Sequence, residues 1–436
     1  MNTHSMHRSY KLILLFFIIT SFSYGQSDNK PFVYGDLLPD APELAARGKH
    51  LVGVQTIDLI HKNQIDVLNY TGGPDSLYDR PLKIEVWYPA KSNNETGSLI
   101  SYDEVMGNAN SKDRPLIPFK FLGRANRDAD ADSNEGPYPL VIVSHGYTGS
   151  RYLLTYLTEN LASKGYVVVS IDHTESTFRD AAGFNSTLLN RSLDVLFVLN
   201  EITRMEQEAG NFLNNLVNPD ITALIGYSMG GYGVINVAGA GYSPQAAQFF
   251  GSMSKGSKAL HMRAVGNPEY EASLDSRIKA VIAFAPWGMQ RGVWNAEGLS
   301  GIRIPSMFVA GDMDDISGYE KGTKAIFEGA VNSDRYLLTY INARHNVAPN
   351  PPPAEAMKPG LHIDEYLRYA DSVWDTRRMN NINQHFVTAF LGMHLKNDEN
   401  CASFFKINED PEAKEWPGFK PRTTVGLQLD YKVAAP

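Results

Sequence analysis

The stretch that decides the fold is ITALIGYSMGGYG, residues 221–233. Its apolar opening, Ile221 to Ile225, reads as a buried strand, and the small-residue segment Gly231 to Ala240 is competent to form a helix. Between them lies G-x-S-x-G, with Ser228 at its centre. A serine hydroxyl is a weak nucleophile unless a base takes its proton and its oxygen stands clear of the backbone. A sharp strand-to-helix turn gives that exposure but crowds the positions two before and two after the serine, where glycine fits. Gly226, Ser228 and Gly230 in this setting therefore mark Ser228 as a candidate nucleophile. The peptide N–H of Met229 becomes one candidate donor of an oxyanion hole. The motif alone would also describe an ordinary turn; the strand before it and the helix after it make it specific.

Working outward, strands and helices alternate. Upstream, Pro139–Ser144 (PLVIVS) is a buried-type strand running into His145-Gly146-Tyr147. A helical pattern over Tyr152–Lys164 follows, then a strand over Tyr166–Ile171 closed by Asp172-His173, then an amphipathic helix over Leu188–Glu208. Downstream, Lys279–Ala285 leads to Pro286-Trp287, Ile304–Ala310 to Gly311-Asp312-Met313-Asp314-Asp315, and Tyr336–Ile341 to Arg344-His345. A closing helix is expected over residues 378–396. The alternation implies an α/β fold, with a mostly parallel central sheet and helices on both faces. Lys83–Tyr88 alternates apolar and polar and reads as one more strand. Residues 26–80 read as an amino-terminal extension and 91–137 as a long polar excursion. Residues 241–275 read as an insertion after the nucleophile helix, either a lid or an ornament.

With 436 residues, 43% of them hydrophobic, the chain has material for a full core, and residues 26–436 are expected to form a single catalytic domain. A net charge of −8 gives no nucleic-acid footprint. Residues 1–25 have the pattern of a secretory signal: Arg8 and Lys11, the apolar run Leu12–Ile19, and small residues at Ser23-Tyr24-Gly25. That run is far shorter than the ~20 residues that span a bilayer. A secreted or periplasmic protein without stable membrane insertion after cleavage is expected. Cys401 is the only cysteine, so no intrachain disulfide can form. The alternating carboxylates of 128–136 fail the spacing of a calcium loop and read as a solvated turn, so no metal is expected.

The order Ser, then an acid after a later strand, then His after the last strand is that of α/β-hydrolases. RPLKIEVWYPA, VIVSHGYTGSRY, LASKGYVVVSIDH, GYSMGG, APW and VAGDMDD resemble the branch holding platelet-activating-factor acetylhydrolases, polyester-cleaving cutinases and dienelactone hydrolases. The resemblance spans residues 80 to 400, insertions aside, and is specific for fold and mechanism but loose for substrate. It implies Ser228 as nucleophile and His345 as base. Asp312, Asp314 and Asp315 all stand at the right strand end; a strand-G-x-x-D pattern aligned on Gly311 selects Asp314, with Asp312 next. It also implies the N–H of Tyr147 as second oxyanion donor, the Tyr147 ring as a wall of the acyl pocket, and Trp287 as a residue laid against a substrate ring. His145, His173 and His385 have structural readings.

The implied protein is a serine ester hydrolase working through an acyl-enzyme on small-molecule or polymeric esters, short-chain or aromatic acyl groups preferred, without a cofactor. A prolyl-oligopeptidase-type peptidase would need a propeller for which the chain has neither room nor repeat. A strict dienelactone hydrolase would carry cysteine where Ser228 stands. A hydrolase-fold binding protein would be expected to have lost part of the triad.

Overall fold

Strands in the first third of the chain depart most from expectation. The computed structural model describes residues 31–91, 99–407 and 415–436; the export signal read at residues 1–25 lies outside them. Residues 51–65, which fall in the expected amino-terminal extension, form a long strand β1 (Leu51–Ile65). It pairs antiparallel along its length with β2 (Leu77–Ala90), itself longer than Lys83–Tyr88. The polar excursion is also structured. β3 (Ile100–Met106) and β4 (Ile117–Gly123) form a separate antiparallel pair, and β5 (Ala125–Arg127) joins the edge beside β1. Tyr102, Phe119 and Phe121 of that pair are buried in the main core, which is why this segment folds back despite its charge.

From β6 onward the expected alternation appears. The strands are β6 (Tyr138–Ser144), β7 (Val167–Asp172), β8 (Val217–Tyr227), β9 (Ile278–Phe284), β10 (Ser306–Gly311) and β11 (Arg335–Tyr340), all mutually parallel. A last strand, β12 (Leu427–Lys432), adds antiparallel to β11. The large sheet runs β12-β11-β10-β9-β8-β6-β7-β2-β1-β5.

Helices α1 (Thr155–Ser163), α2 (Phe184–Gln207) and α3 (Met229–Val237) follow β6, β7 and β8. Strand β6 shows why both faces are covered. Leu140 and Ile142 pack with Val195, Val198 and Leu199 of α2. Val141 and Val143, pointing the other way, join Leu157 and Leu161 of α1. A strand buried on both faces loses its polar alternation, so PLVIVS reads as one apolar run.

The order matters for the site. The chain passes from β6 to β7 on one side and then to β8 on the other, making β6/β8 the point where strand order reverses. Ligands of open α/β sheets bind outside the carboxyl ends of the strands at such a point. Ser144 at the end of β6 pairs in register with Gly226 at the end of β8, so the His145–Gly149 loop and the Ser228 turn emerge side by side.

Residues 241–275 fold into α4 (Pro244–Met253), a short turn, and α5 (Pro268–Ala272). Tyr242, Phe250, Leu260 and Tyr270 are buried beneath them. The Tyr270 hydroxyl donates to Asn236 O at 2.7 Å, and the Arg263 guanidinium donates to Asn236 Oδ1 at 2.8 Å. The segment thus packs behind α3, and none of its residues lines the cleft described below.

Candidate active site

The turn after β8 holds Ser228 at φ 53°, ψ −113°, a conformation that non-glycine residues avoid. The surroundings over-determine it. Ser228 N–H donates to Phe284 O at 2.9 Å, and Ser228 O accepts from Tyr232 N–H at 3.0 Å and Trp287 N–H at 3.1 Å. A Cβ at Gly226 would collide with the Gly230 backbone, and one at Gly230 with the carbonyl of Ser144. Both glycines are therefore required by close backbone approach.

Ser228 Oγ lies 3.0 Å from His345 Nε2, and His345 Nδ1 lies 2.9 and 3.0 Å from the two oxygens of Asp314. The structure thus joins three residues taken from the ends of β8, β10 and β11. Asp314 Oδ1 also accepts from the N–H groups of Ile316 and Ser317, each at 2.9 Å. Burial pushes the Asp314 carboxyl up, but the His345 ring and these two N–H groups outweigh it and hold the group below its ordinary value. An ionised acceptor at Nδ1 fixes the imidazole with Nε2 facing the serine, the tautomer a general base needs. Asp312 is turned away and accepts from Asn342 N–H at 2.6 Å. Asp315 pairs with Arg344 at the surface.

The loop after β6 is held from two sides, by residues the sequence had not singled out. Arg191 of α2, fully buried, donates to His145 O and to Gly146 O; Arg368 donates to Tyr147 O at 3.0 Å and Thr148 O at 3.2 Å. Four successive carbonyls are thus engaged by two guanidinium groups. In a trans peptide the N–H points opposite to the C=O. Fixing Gly146 O on Arg191 therefore fixes the direction of Tyr147 N–H, the expected oxyanion donor.

Behind Arg191 lies a second buried chain. Ser144 Oγ sits 2.8 Å from His173 Nε2, and His173 Nδ1 sits 2.9 Å from Asp194 Oδ2. Arg80 closes the chain with a two-pronged contact to Asp194 at 2.9 and 3.0 Å. Burial pushes the His173 pKa down to about 4, Arg191 adding to the effect against Asp194, so the ring is neutral at physiological pH. Ser144 is completely buried and no substrate atom reaches it. The chain braces the loop. Its signal in the sequence is Arg191 and Asp194, two charges three residues apart in a helix that faces the core.

Arg191→Lys keeps the charge but cannot span two carbonyls. We expect kcat to fall by about 10-fold or more with KM little changed, as for loss of oxyanion preorganisation. A change confined to Tm would make Arg191 purely structural.

Ser228 opens into a cleft of about 320 Å³, walled by Tyr147, Tyr227, Leu153, Leu367 and Arg368. Leu367 and Arg368 belong to the segment between β11 and the closing helix α9 (Thr376–Leu395), which also carries helix α8 (Ile363–Leu367); the short helices α6 (Ala296–Ser300) and α7 (Lys324–Gly329) lie elsewhere. This wall, and not residues 241–275, borders the nucleophile. Trp287 does not line the cleft. Its half-buried ring packs edge-on against Phe184 at 5.2 Å and Tyr232 at 6.2 Å, and Phe184 in turn meets Tyr147 at 5.5 Å. Among the described residues no group of three or more His, Cys, Asp or Glu is placed to hold a metal ion. Nor is any described helix long and apolar enough to cross a membrane.

Residues 130–252 match the model of a family described as PET hydrolase-like, a span that includes Tyr147 and Ser228 but ends before Asp314. The chain is 24% identical over 214 residues to cutinase est1 of Thermobifida alba, covering 49% of this chain and 55% of that protein. It is 23% identical over 215 residues to cutinase 2 of Thermobifida cellulosilytica, covering 49% and 63%. It therefore spans less than two thirds of the length of these curated relatives. Among solved structures, a ferulic acid esterase from Streptomyces cinnamoneus superposes with a TM-score of 0.51 at 19% identity, covering 82% of this chain and 94% of that one. That match shows a shared fold.

Proposed function

We propose that this chain, an α/β-hydrolase of the polyester-hydrolase and cutinase-like branch, is a serine carboxylic-ester hydrolase. The observation that carries the reading is the continuous hydrogen-bonded chain from Ser228 through His345 to Asp314, opening into a cleft. Ser228 Oγ attacks the ester carbonyl while His345 Nε2 takes its proton. The N–H groups of Met229 and Tyr147 receive the developing oxyanion. His345 returns the proton to the leaving alcohol, and water then releases the acyl group by the same steps reversed. The N-terminal pattern at residues 8–25 supports export, and Edman sequencing of protein recovered outside its native host cell tests it. Labelling by a fluorophosphonate, with hydrolysis of a graded ester panel, tests the activity. No labelling of Ser228 would refute it.

A cleft of this size stands at the small end of ligand pockets, which suits short or single-ring acyl groups. Of the edge-on ring row Tyr147–Phe184–Trp287 only Tyr147 lines the cleft, so its ring is the aromatic contact available to an acyl group and the other two hold it in place. An aromatic contact is worth about 0.5–1.5 kcal/mol beyond burial, a preference of several-fold. Tyr147→Ala, which keeps the peptide N–H, is expected to lower kcat/KM for aromatic-acid esters several-fold more than for acetate esters. Equal losses on both would leave the Tyr147 ring with a packing role alone.

A further inference from the structure

The cleft carries a charge that ester hydrolysis alone does not use. Besides His345, four ionic side chains line it: Asp315, Arg344, Asp364 and Arg368. Arg344 pairs with Asp315, and Asp364 contacts Arg114 at 3.1 Å. Arg368 has no carboxylate at ion-pair distance among the described residues. Glu365, close to it in sequence, shares that same Arg114 through Nε at 2.6 Å and favours the Arg368 charge only from beyond contact distance. The Arg368 Nη1 is spent on Tyr147 O and Thr148 O, which fixes the guanidinium plane. No hydrogen bond within the described residues engages its Nε or Nη2. Burial pulls the Arg368 pKa down, and Arg114 adds to it, so the surroundings penalise the charge they contain. Arg368 is half-buried, and its two donor positions without an acceptor among the described residues are ones that an anionic ligand in the cleft can engage.

We propose that Arg368 recognises a carboxylate on the substrate, so that the preferred substrates are esters bearing a free acid: half-esters of dicarboxylic acids. A guanidinium with one nitrogen anchored and two donor positions open offers the fork that a carboxylate accepts in two-pronged fashion. The inference rests on the esterase reading above. Each turnover consumes one half-ester and one water, cleaves the acyl–oxygen bond, and yields the alcohol, the dicarboxylate and a proton. The reaction that supplies this substrate is then partial cleavage of a diester or polyester, which leaves one acid end and one ester end.

The test compares monomethyl with dimethyl adipate, and monomethyl with dimethyl terephthalate, in the wild type and in Arg368→Gln. In the wild type kcat/KM is expected to favour the half-ester, and added sodium chloride to weaken that preference. Arg368→Gln should reduce the half-ester-to-diester ratio on the order of 10-fold or more, chiefly through KM. Arg368→Lys should restore part of it. Any disturbance of the Tyr147 loop affects both esters and cancels in the ratio. A ratio unchanged by Arg368→Gln overturns the inference while the esterase reading stands; no turnover of either ester in the wild type removes both. Should the variant fail to fold, inhibition of the wild type decides. Adipate should inhibit competitively far better than adipamide, and equal inhibition by the two overturns the proposal.

Discussion

Replacing Ser228 with alanine is expected to lower ester turnover by about 10⁴-fold or more, to a residue supplied by binding and the oxyanion donors alone. Fluorophosphonate labelling should vanish with it. The fold should survive for a specific reason. Ser228 is held at φ 53° by backbone contacts to Phe284, Tyr232 and Trp287, none of which involves its hydroxyl. Alanine has the same Cβ and meets the same strain. The hydroxyl's one contact is with His345, so its loss leaves a single imidazole nitrogen facing the cleft. Unfolding monitored by circular dichroism should shift by no more than a few degrees. Retention of even a tenth of wild-type turnover in this variant would sink the proposed mechanism.

The parallel half of the sheet was legible because each of its strands is buried on both faces. PLVIVS, YVVVSI and ITALI carry no polar alternation, and each ends in the residues that build the site. The outer strands were not. In β1 only Val52, Val54 and Leu59 of its apolar residues are fully buried, while Thr56, Asp58, Ile60 and Lys62 are exposed and dilute the pattern. β12 is an edge strand with no fully buried residue, and LQLDYK has little apolar signal to offer. Periodicity reports burial, so it fades where burial does.

The candidate site divides the same way. Ser228, Asp314 and His345 each follow a strand end, where chain order and local motif suffice to find them. The cleft wall does not announce itself. Leu367 and Arg368 reach the nucleophile only because the segment before α9 folds over the sheet's end, through Arg344 N–H to Asp371 at 2.7 Å and Asn346 to Ala370 O at 3.1 Å. Such placement is a product of tertiary packing, which single-sequence patterns do not encode. Trp287 shows the converse. Its position after β9 is next to the serine in backbone terms, yet neighbouring Phe184 and Tyr232 decide where its ring goes.

The two aspartates at the end of β10 give a sharper test, because they differ by two residues and by everything around them. Asp314→Asn is expected to cost on the order of 10³–10⁴ in kcat, since an amide facing Nδ1 no longer enforces the tautomer that leaves Nε2 free to accept the serine proton. Asp312→Asn should cost far less, because that carboxylate only receives Asn342 N–H at the outer end of the loop. Stability provides a second, independent readout. The Asp314 pKa is lowered in the folded state, so its carboxylate stabilises the fold above the unfolded value of about 4. That contribution disappears as pH falls through the folded value. The Tm gap between wild type and Asp314→Asn should therefore narrow on acidification below about pH 4. If instead Asp312→Asn abolishes turnover and Asp314→Asn does not, the hydrogen bonds from Asp314 to His345 are not the ones that orient the base.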